Sequence, residues 1–203
     1  MRKMWIENLK FVDCPILENM CGTLSVKYVD MIRYLLRRGY LIRVFRGVFY
    51  VKSPEEIKLK KINVSPLEVL AKGLEVKGVD NWYFGLYTAL RLNGVTHEYY
   101  PADFLMNDKI FRAREMEIVG HRFKFIKVKP SLFFGINKVN GLRYSDMEKT
   151  MLDFIYLWRY RGIPEDKIAL DISELFDMAS REKLLEYSEK YPKTVRRTLE
   201  RVG

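Results

Sequence analysis

Residues 25–51 read SVKYVDMIRYLLRRGYLIRVFRGVFYV, and the reading of the whole chain turns on them. Val26, Val29, Ile32, Leu35 and Leu36 recur at helical spacing, which predicts a helix with one buried face. Ser25 is placed to cap its start and Gly39 its end. Lys27, Tyr28, Met31, Tyr34 and Arg38 fall mainly on the other face. A run from Tyr40 to Phe45 then passes through Arg46-Gly47 into a second run, Val48 to Lys52. That is the pattern of a β-hairpin with its glycine at the turn. A helix, a glycine and then a ribbon carrying Arg43 and Arg46 is the order of a winged helix-turn-helix. In that motif one helix reads the major groove and the ribbon touches flanking backbone or minor groove. The same pattern also serves as an ordinary packing unit, and in some domains it binds protein.

Charge favours nucleic acid. The chain of 203 residues carries a formal net charge of +10. Residues 1–52 hold ten Lys/Arg and four Asp/Glu, and the remainder holds 26 and 22. A positive field concentrated in the first quarter suits phosphate, because Lys and Arg displace the counterions condensed on DNA.

Outward from this stretch the pattern is mixed. A first helix is expected over 3–12, with Trp5, Ile6, Leu9 and Val12 as its apolar stripe. Asp13 is placed to cap a second helix from Pro15 to Cys21. Residues 1–52 therefore read as a winged helix-turn-helix domain, 53–64 as a charged linker with room for a helical turn, and 65–203 as a second domain. In that domain Ser65-Pro66 opens a helix, and another is expected from about Trp82 to Asn93. Strand character follows at 104–106, 116–119, 122–128 and 133–139, with Asn140-Gly141 as a hairpin signal. Ser145-x-x-Glu148 reads as a capping box for a helix to about Tyr160. Helices at 165–176, 180–190 and 192–202 complete a terminal bundle. The fold class expected is α+β: an N-terminal winged helix-turn-helix, then a mixed α/β domain ending in a helical bundle.

Composition narrows the function classes. With 48% hydrophobic and 31% charged residues, the chain has the composition of a globular protein. No apolar run approaches the roughly 20 residues that cross a bilayer, and the basic start Met-Arg-Lys-Met-Trp leads into Glu7 and Lys10 rather than an apolar stretch. No membrane partner and a cytoplasmic location are expected. Cys14 and Cys21 lie seven residues apart, about 10 Å along a helix, too far for a disulfide. Free thiols in a reducing compartment are expected.

Catalytic signatures are sparse. His97 and His121 are the only histidines, and neither belongs to a Cys/His cluster with zinc spacing. Neither a phosphate-binding glycine loop nor GxGxxG occurs. Glu165-Asp166-Lys167 has the spelling of a metal-nuclease motif, but it follows Gly-x-Pro at a helix start, where acids complement the helix dipole. Asp146, Glu148 and Asp153 read as capping and surface groups. No enzyme activity, cofactor or metal is implied. Arg122, Lys124, Lys127 and Lys129 interleave with Phe123 and Phe125, which suits stacking on RNA but equally suits a strand with one buried face. An RNA-binding protein, or a nuclease- or nucleotidyltransferase-related enzyme, is the alternative reading.

Four segments resemble the AbiEi-type antitoxin and transcriptional-regulator family: LLRRGYLIRVFRGVFYV, YFGLYTALRLNGVT, YSDMEKTMLDFIYLW, and Leu-Leu-Glu-Tyr-Ser before the basic C-terminus. They occur in the family's order and cover nearly the whole chain. The lead-in 1–11 is longer than the family's and the middle strands are more basic. The resemblance implies a winged helix, an α/β second domain, and an autorepressor that counters a nucleotidyltransferase-like toxin without forming a stable complex.

The candidate DNA contacts follow. Lys27, Tyr28, Met31 and Tyr34 form the expected major-groove face, with Ser25 supplying a helix-terminal phosphate contact. Arg33, Arg37 and Arg38 are flanking contacts, and Arg43 and Arg46 form the wing. Arg196 and Arg197, sharing a side of the last helix with Lys193 and Arg201, are candidates for a second phosphate contact that clamps DNA between the domains. The partner is double-stranded operator DNA. A homodimer on a two-fold operator is compatible with such regulators, although no dimerisation helix is legible.

Overall fold

The computed structural model describes residues 1–202. Ten helices and two sheets occur among them, a mixed α+β architecture. The chain forms two compact units, one comprising residues 1–80 with 117–121 and the other the rest.

In the first unit the order is α1 (Arg2–Ile6), β1 (Phe11–Asp13), α2 (Cys14–Leu24), α3 (Tyr28–Arg37), β2 (Leu41–Phe45) and β3 (Val48–Val51). The three strands form an antiparallel sheet in the order β1-β3-β2. The helix expected over 3–12 stops at Ile6, and Phe11–Asp13 are a strand paired with Val48–Tyr50. Asp13 caps α2 as expected, its carboxylate accepting from the Ile16 amide at 3.0 Å. Gly39, at φ +69°, ends α3: the Tyr40 amide reaches the Leu35 carbonyl and the Gly39 amide the Leu36 carbonyl, the paired bonds of a Schellman turn. Met4, Val12, Leu17, Ile32, Leu35, Leu41, Phe49 and Val51 make the core.

The segment 53–64 is not a linker. It holds α4 (Pro54–Leu59), closed by a capping box between Ser53 and Glu56. Glu56 is 1% exposed. Its carboxylate accepts from the Tyr50 hydroxyl at 2.9 Å and from the amides of Ser53 and Asn63 at 2.9 and 2.8 Å. A buried carboxylate is tolerable only when so satisfied, and these bonds tie α4 to β3. The next helix, α5 (Pro66–Val76), packs on all three strands. It comes so close that a Cβ on Gly73 would lie 2.5 Å from Val44. The N-terminal segment of the first unit therefore runs to Asp80, not Lys52.

The second unit holds β4 (Trp82–Phe84), α6 (Leu86–Leu92), β5 (Asp103–Asn107), β7 (His121–Lys127) apart from its first residue, a 3-10 turn at Pro130–Leu132, β8 (Ile136–Val139) and β9 (Leu142–Ser145), while the edge strand β6 (Met116–Ile118) falls largely in the segment 117–121 grouped with the first unit. Strand order is β6-β7-β5-β4-β9-β8, mixed parallel and antiparallel. The helix expected from Trp82 begins only at Leu86. Trp82, Tyr83 and Phe84 are a central strand buried on both faces, so they show no alternation. Four helices follow: α7 (Met147–Tyr160), α8 (Glu165–Phe176), α9 (Arg181–Ser188) and α10 (Lys193–Val202). The cap of α7 is Asp146, which accepts from the Lys149 amide. Ser145 is instead buried and bonded to Thr150, and Glu148 reaches the Ser180 amide at 2.9 Å.

Candidate nucleic-acid interface

In the first unit α3 and the β2–β3 turn flank an open cavity of about 960 Å³. Arg33 and Arg37 line it from α3, Arg43 and Arg46 from the hairpin, and Lys77 from the end of α5; no carboxylate lines it. Arg33, Arg37, Arg43, Arg46 and Lys77 are all exposed. Lys77 also donates to the Arg46 carbonyl at 3.1 Å, which holds the turn. The Arg43 guanidinium sits 5.8 Å from the Phe49 ring centroid, a stacked position that limits its freedom. The Arg33–Asp30 contact, 3.4 Å between highly exposed groups, is worth little against solvent. Ile32, Leu36, Phe49 and Gly47 supply the apolar walls, and Val29, 60% exposed, faces outward.

Tyr28 and Cys14 are uncharged polar groups of the cavity wall. The Tyr28 hydroxyl lies 2.8 Å from Cys14 Sγ. Burial, then this hydrogen bond, pushes the phenol up to about 12. Cys14 in turn lies against the turn: a Cβ on Gly47 would meet its sulfur at 2.8 Å. Gly47, at φ +81°, is required both by the left-handed backbone and by this approach.

The structure rearranges the expected site. Ser25 is the left-handed C-cap of α2, at φ +53°, and Lys27 is the N-cap of α3. The helix therefore starts later than the sequence implied. Its inward stripe is Tyr28, Met31, Ile32 and Leu35, spaced i, i+3, i+4, i+7. Met31, expected on the groove face, is half-buried with its sulfur 3.7 Å from Cys21 Sγ. Tyr28 is half-buried as well, while Val26 and Val29, expected inside, are exposed. Arg33, Arg37, Arg43 and Arg46 come together at the cavity. Lys27 is exposed at the helix start, and Tyr34 and Arg38 lie together outside the cavity wall, the guanidinium 5.7 Å from the ring centroid. Lys77 had no local signal: it lies 31 residues from the turn it supports.

Arg196 and Arg197 belong to the second unit, on α10. Val195 and Leu199 of that helix are buried, Arg197 is exposed and Arg196 half-buried. Arg201 is paired with Glu165 at 2.9 Å, so one of the four cations is already compensated. The Glu165 carboxylate serves Thr198 and Arg201, a structural role for that end of the Glu-Asp-Lys spelling.

A second charged cluster is closed. Lys149 and Asp153, both fully buried, are bonded to each other and to the hydroxyls of Tyr83 and Tyr191. Burial drives the Lys149 ammonium down from its ordinary value although Asp153 opposes this, and burial with Asp153 pushes both phenols far up. Asp153 is thus an interior group, contrary to its expected surface position. Among the described residues no group of three or more His, Cys, Asp or Glu could hold a metal ion, and no helix is long and apolar enough to cross a membrane. Cys14 and Cys21 are free thiols, Cys21 buried and Cys14 half-buried.

No family model and no curated protein matches the chain. Among solved structures, the crystal structure of the RV2827C protein from Mycobacterium tuberculosis is similar, with a TM-score of 0.64 at 12% identity over 99% of this chain and 73% of that one. The two share a fold. At that identity the likeness speaks to architecture alone.

Proposed function

We propose that this chain is a sequence-specific DNA-binding transcriptional regulator whose first unit is a winged helix-turn-helix. The observation that carries the reading is the cavity flanked by α3 and the β2–β3 turn, with Arg33, Arg37, Arg43, Arg46 and Lys77 around it and no acid. The element order α1-β1-α2-α3-β2-β3 and the antiparallel β1-β3-β2 sheet support the motif. Helix α3 enters the major groove. Val29, Arg33 and Tyr34 are then available to base edges, Val29 for a thymine methyl and Arg33 for guanine. Arg37, Arg43, Arg46 and Lys77 take phosphates and fix the register. Repression follows from occupancy of a promoter.

The four sequence markers extend the proposal to an AbiEi-type, antitoxin-like autorepressor with a functional link to a nucleotidyltransferase-like toxin. The test is an amide-resolved NMR titration of the protein with a duplex selected from a random pool. Shifts should concentrate on 27–38 and 43–47. Shifts confined to the second unit, or selection that enriches no sequence, would overturn the reading.

A further inference from the structure

The second unit carries a cavity of about 540 Å³ with a different character from the basic groove. One wall is aromatic. Tyr87 of α6 and Phe154 of α7 meet edge to face with centroids 4.8 Å apart, and Trp158 follows Phe154 at 4.9 Å. Tyr100 stacks on Tyr87 at 4.2 Å, fixing that ring. Facing this wall is α8, which contributes Leu170, Asp171, Ser173, Glu174 and Leu175.

Helix α8 is anomalous in a chain of net charge +10. It carries Glu165, Asp166, Asp171 and Glu174 against a single Lys167. Glu165 is occupied by Arg201 and Thr198. Asp171 and Glu174 are exposed, and neither forms an ion pair among the described residues. Both carboxylates thus stand unpaired at the mouth of an aromatic cavity. The field of Asp171 reaches Tyr87: after burial, Asp171 and then Glu98 push its phenol up. Aromatic faces present negative potential and bind cations, more strongly where water is excluded. Carboxylates on the rim add the Coulomb term. The volume falls in the range of small-molecule pockets, about 300–1,000 Å³.

We infer that this cavity binds a small organic cation, an alkylammonium or alkylguanidinium compound, with its charged head between Asp171, Glu174 and the Trp158 face and its apolar part against Tyr87, Phe154 and Leu170. The inference is independent of the DNA reading, since it uses only groups of the second unit.

Calorimetric titration of the full chain with choline, with agmatine, and with 3,3-dimethyl-1-butanol as the neutral isostere of choline tests it. At least one cation should bind saturably, and where that cation is choline the alcohol should bind at least about tenfold more weakly. Asp171→Asn with Glu174→Gln should weaken the bound cation at least about tenfold while leaving the melting temperature unchanged, since both side chains are exposed. Trp158→Leu should weaken it too and remove the quenching of tryptophan fluorescence that accompanies binding. Equal affinity for choline and its neutral isostere, unchanged cation affinity in the double charge variant, or no heat from either cation at millimolar concentration would each overturn the assignment.

Discussion

The two units use charge in opposite ways. In the first, five cations stand exposed around the α3–hairpin cavity with no acid on its wall. In the second, Lys149 lies fully buried, with Asp153, Tyr83 and Tyr191 all bonded to it. An exposed, uncompensated cation contributes little to stability and stays available to an external anion. A buried cation has lost its water, so its partners must replace that hydration, and removing one partner leaves a charge stranded. Helix α10 falls between these cases: Arg201 is paired with Glu165 and Arg197 is exposed. Where a cation sits relative to acids and solvent decides whether it holds the fold or is offered to a ligand.

The largest effect expected from this contrast is on stability. Asp153→Ala strands the Lys149 ammonium and should cost about 3–5 kcal/mol in urea unfolding followed by tryptophan fluorescence. A loss below about 1 kcal/mol, the range of a solvated pair, would break the contrast. Arg33→Ala should do the reverse. Stability should hold within about 0.5 kcal/mol, while discrimination between selected and scrambled duplex should fall by about 1–3 kcal/mol. Tyr28→Phe, which removes a hydroxyl directed at Cys14, should leave that discrimination intact. If Tyr28→Phe erodes it as much as Arg33→Ala does, the helix presents a different face to DNA.

Glu148 gives the contrast a pH dependence. Burial alone would raise its carboxyl, but the Ser180 amide, its own amide and Lys183 outweigh burial and hold it below the usual range. A depressed folded value means the stabilisation is complete above the unfolded carboxyl value of about 4.3 and is lost as pH falls through the lower folded value. The stability advantage of wild type over Glu148→Gln should therefore be flat near neutrality and shrink on acidification. An advantage that persists unchanged to low pH would mean that the charge of Glu148 is not what holds α9 to α7. The smallest effect expected is that of Arg196→Ala with Arg197→Ala, which should lower duplex affinity severalfold if α10 adds a phosphate contact. No change in affinity or in its salt dependence would confine DNA to the first unit.

Much of this was legible locally. Arg46-Gly47 between two apolar runs located the hairpin because turn chemistry is a property of two residues. Gly162-Ile163-Pro164 set the start of α8 for the same reason, and α8 was read with its observed bounds. What depended on distant partners was not legible. The sequence 26–36 carries two overlapping apolar stripes, one through Val26 and Val29 and one through Tyr28 and Met31. Only the sheet beneath it and the left-handed Ser25 decide which turns inward. Trp82–Phe84 passed for helix because a strand buried on both sides has no alternation. Asp153 reads as a surface group, because nothing local announces that Lys149 will be buried against it with Tyr83 and Tyr191, which lie 66 and 42 residues from Lys149 along the chain. The residues 53–80 read as linker and second domain because nothing local announces that Glu56 will accept from Tyr50 or that Gly73 will lie on Val44.

In the proposed function the cations around the α3–hairpin cavity displace counterions condensed on DNA phosphates. The slope of log K against log salt measures this directly, for wild type and for the combined Arg37→Ala, Arg43→Ala, Arg46→Ala variant. Each lost phosphate contact should reduce the slope by about 0.9, so the variant should be shallower by about 2.7 while its melting temperature is retained. A variant with the wild-type slope and affinity would mean that these cations do not contact DNA phosphates.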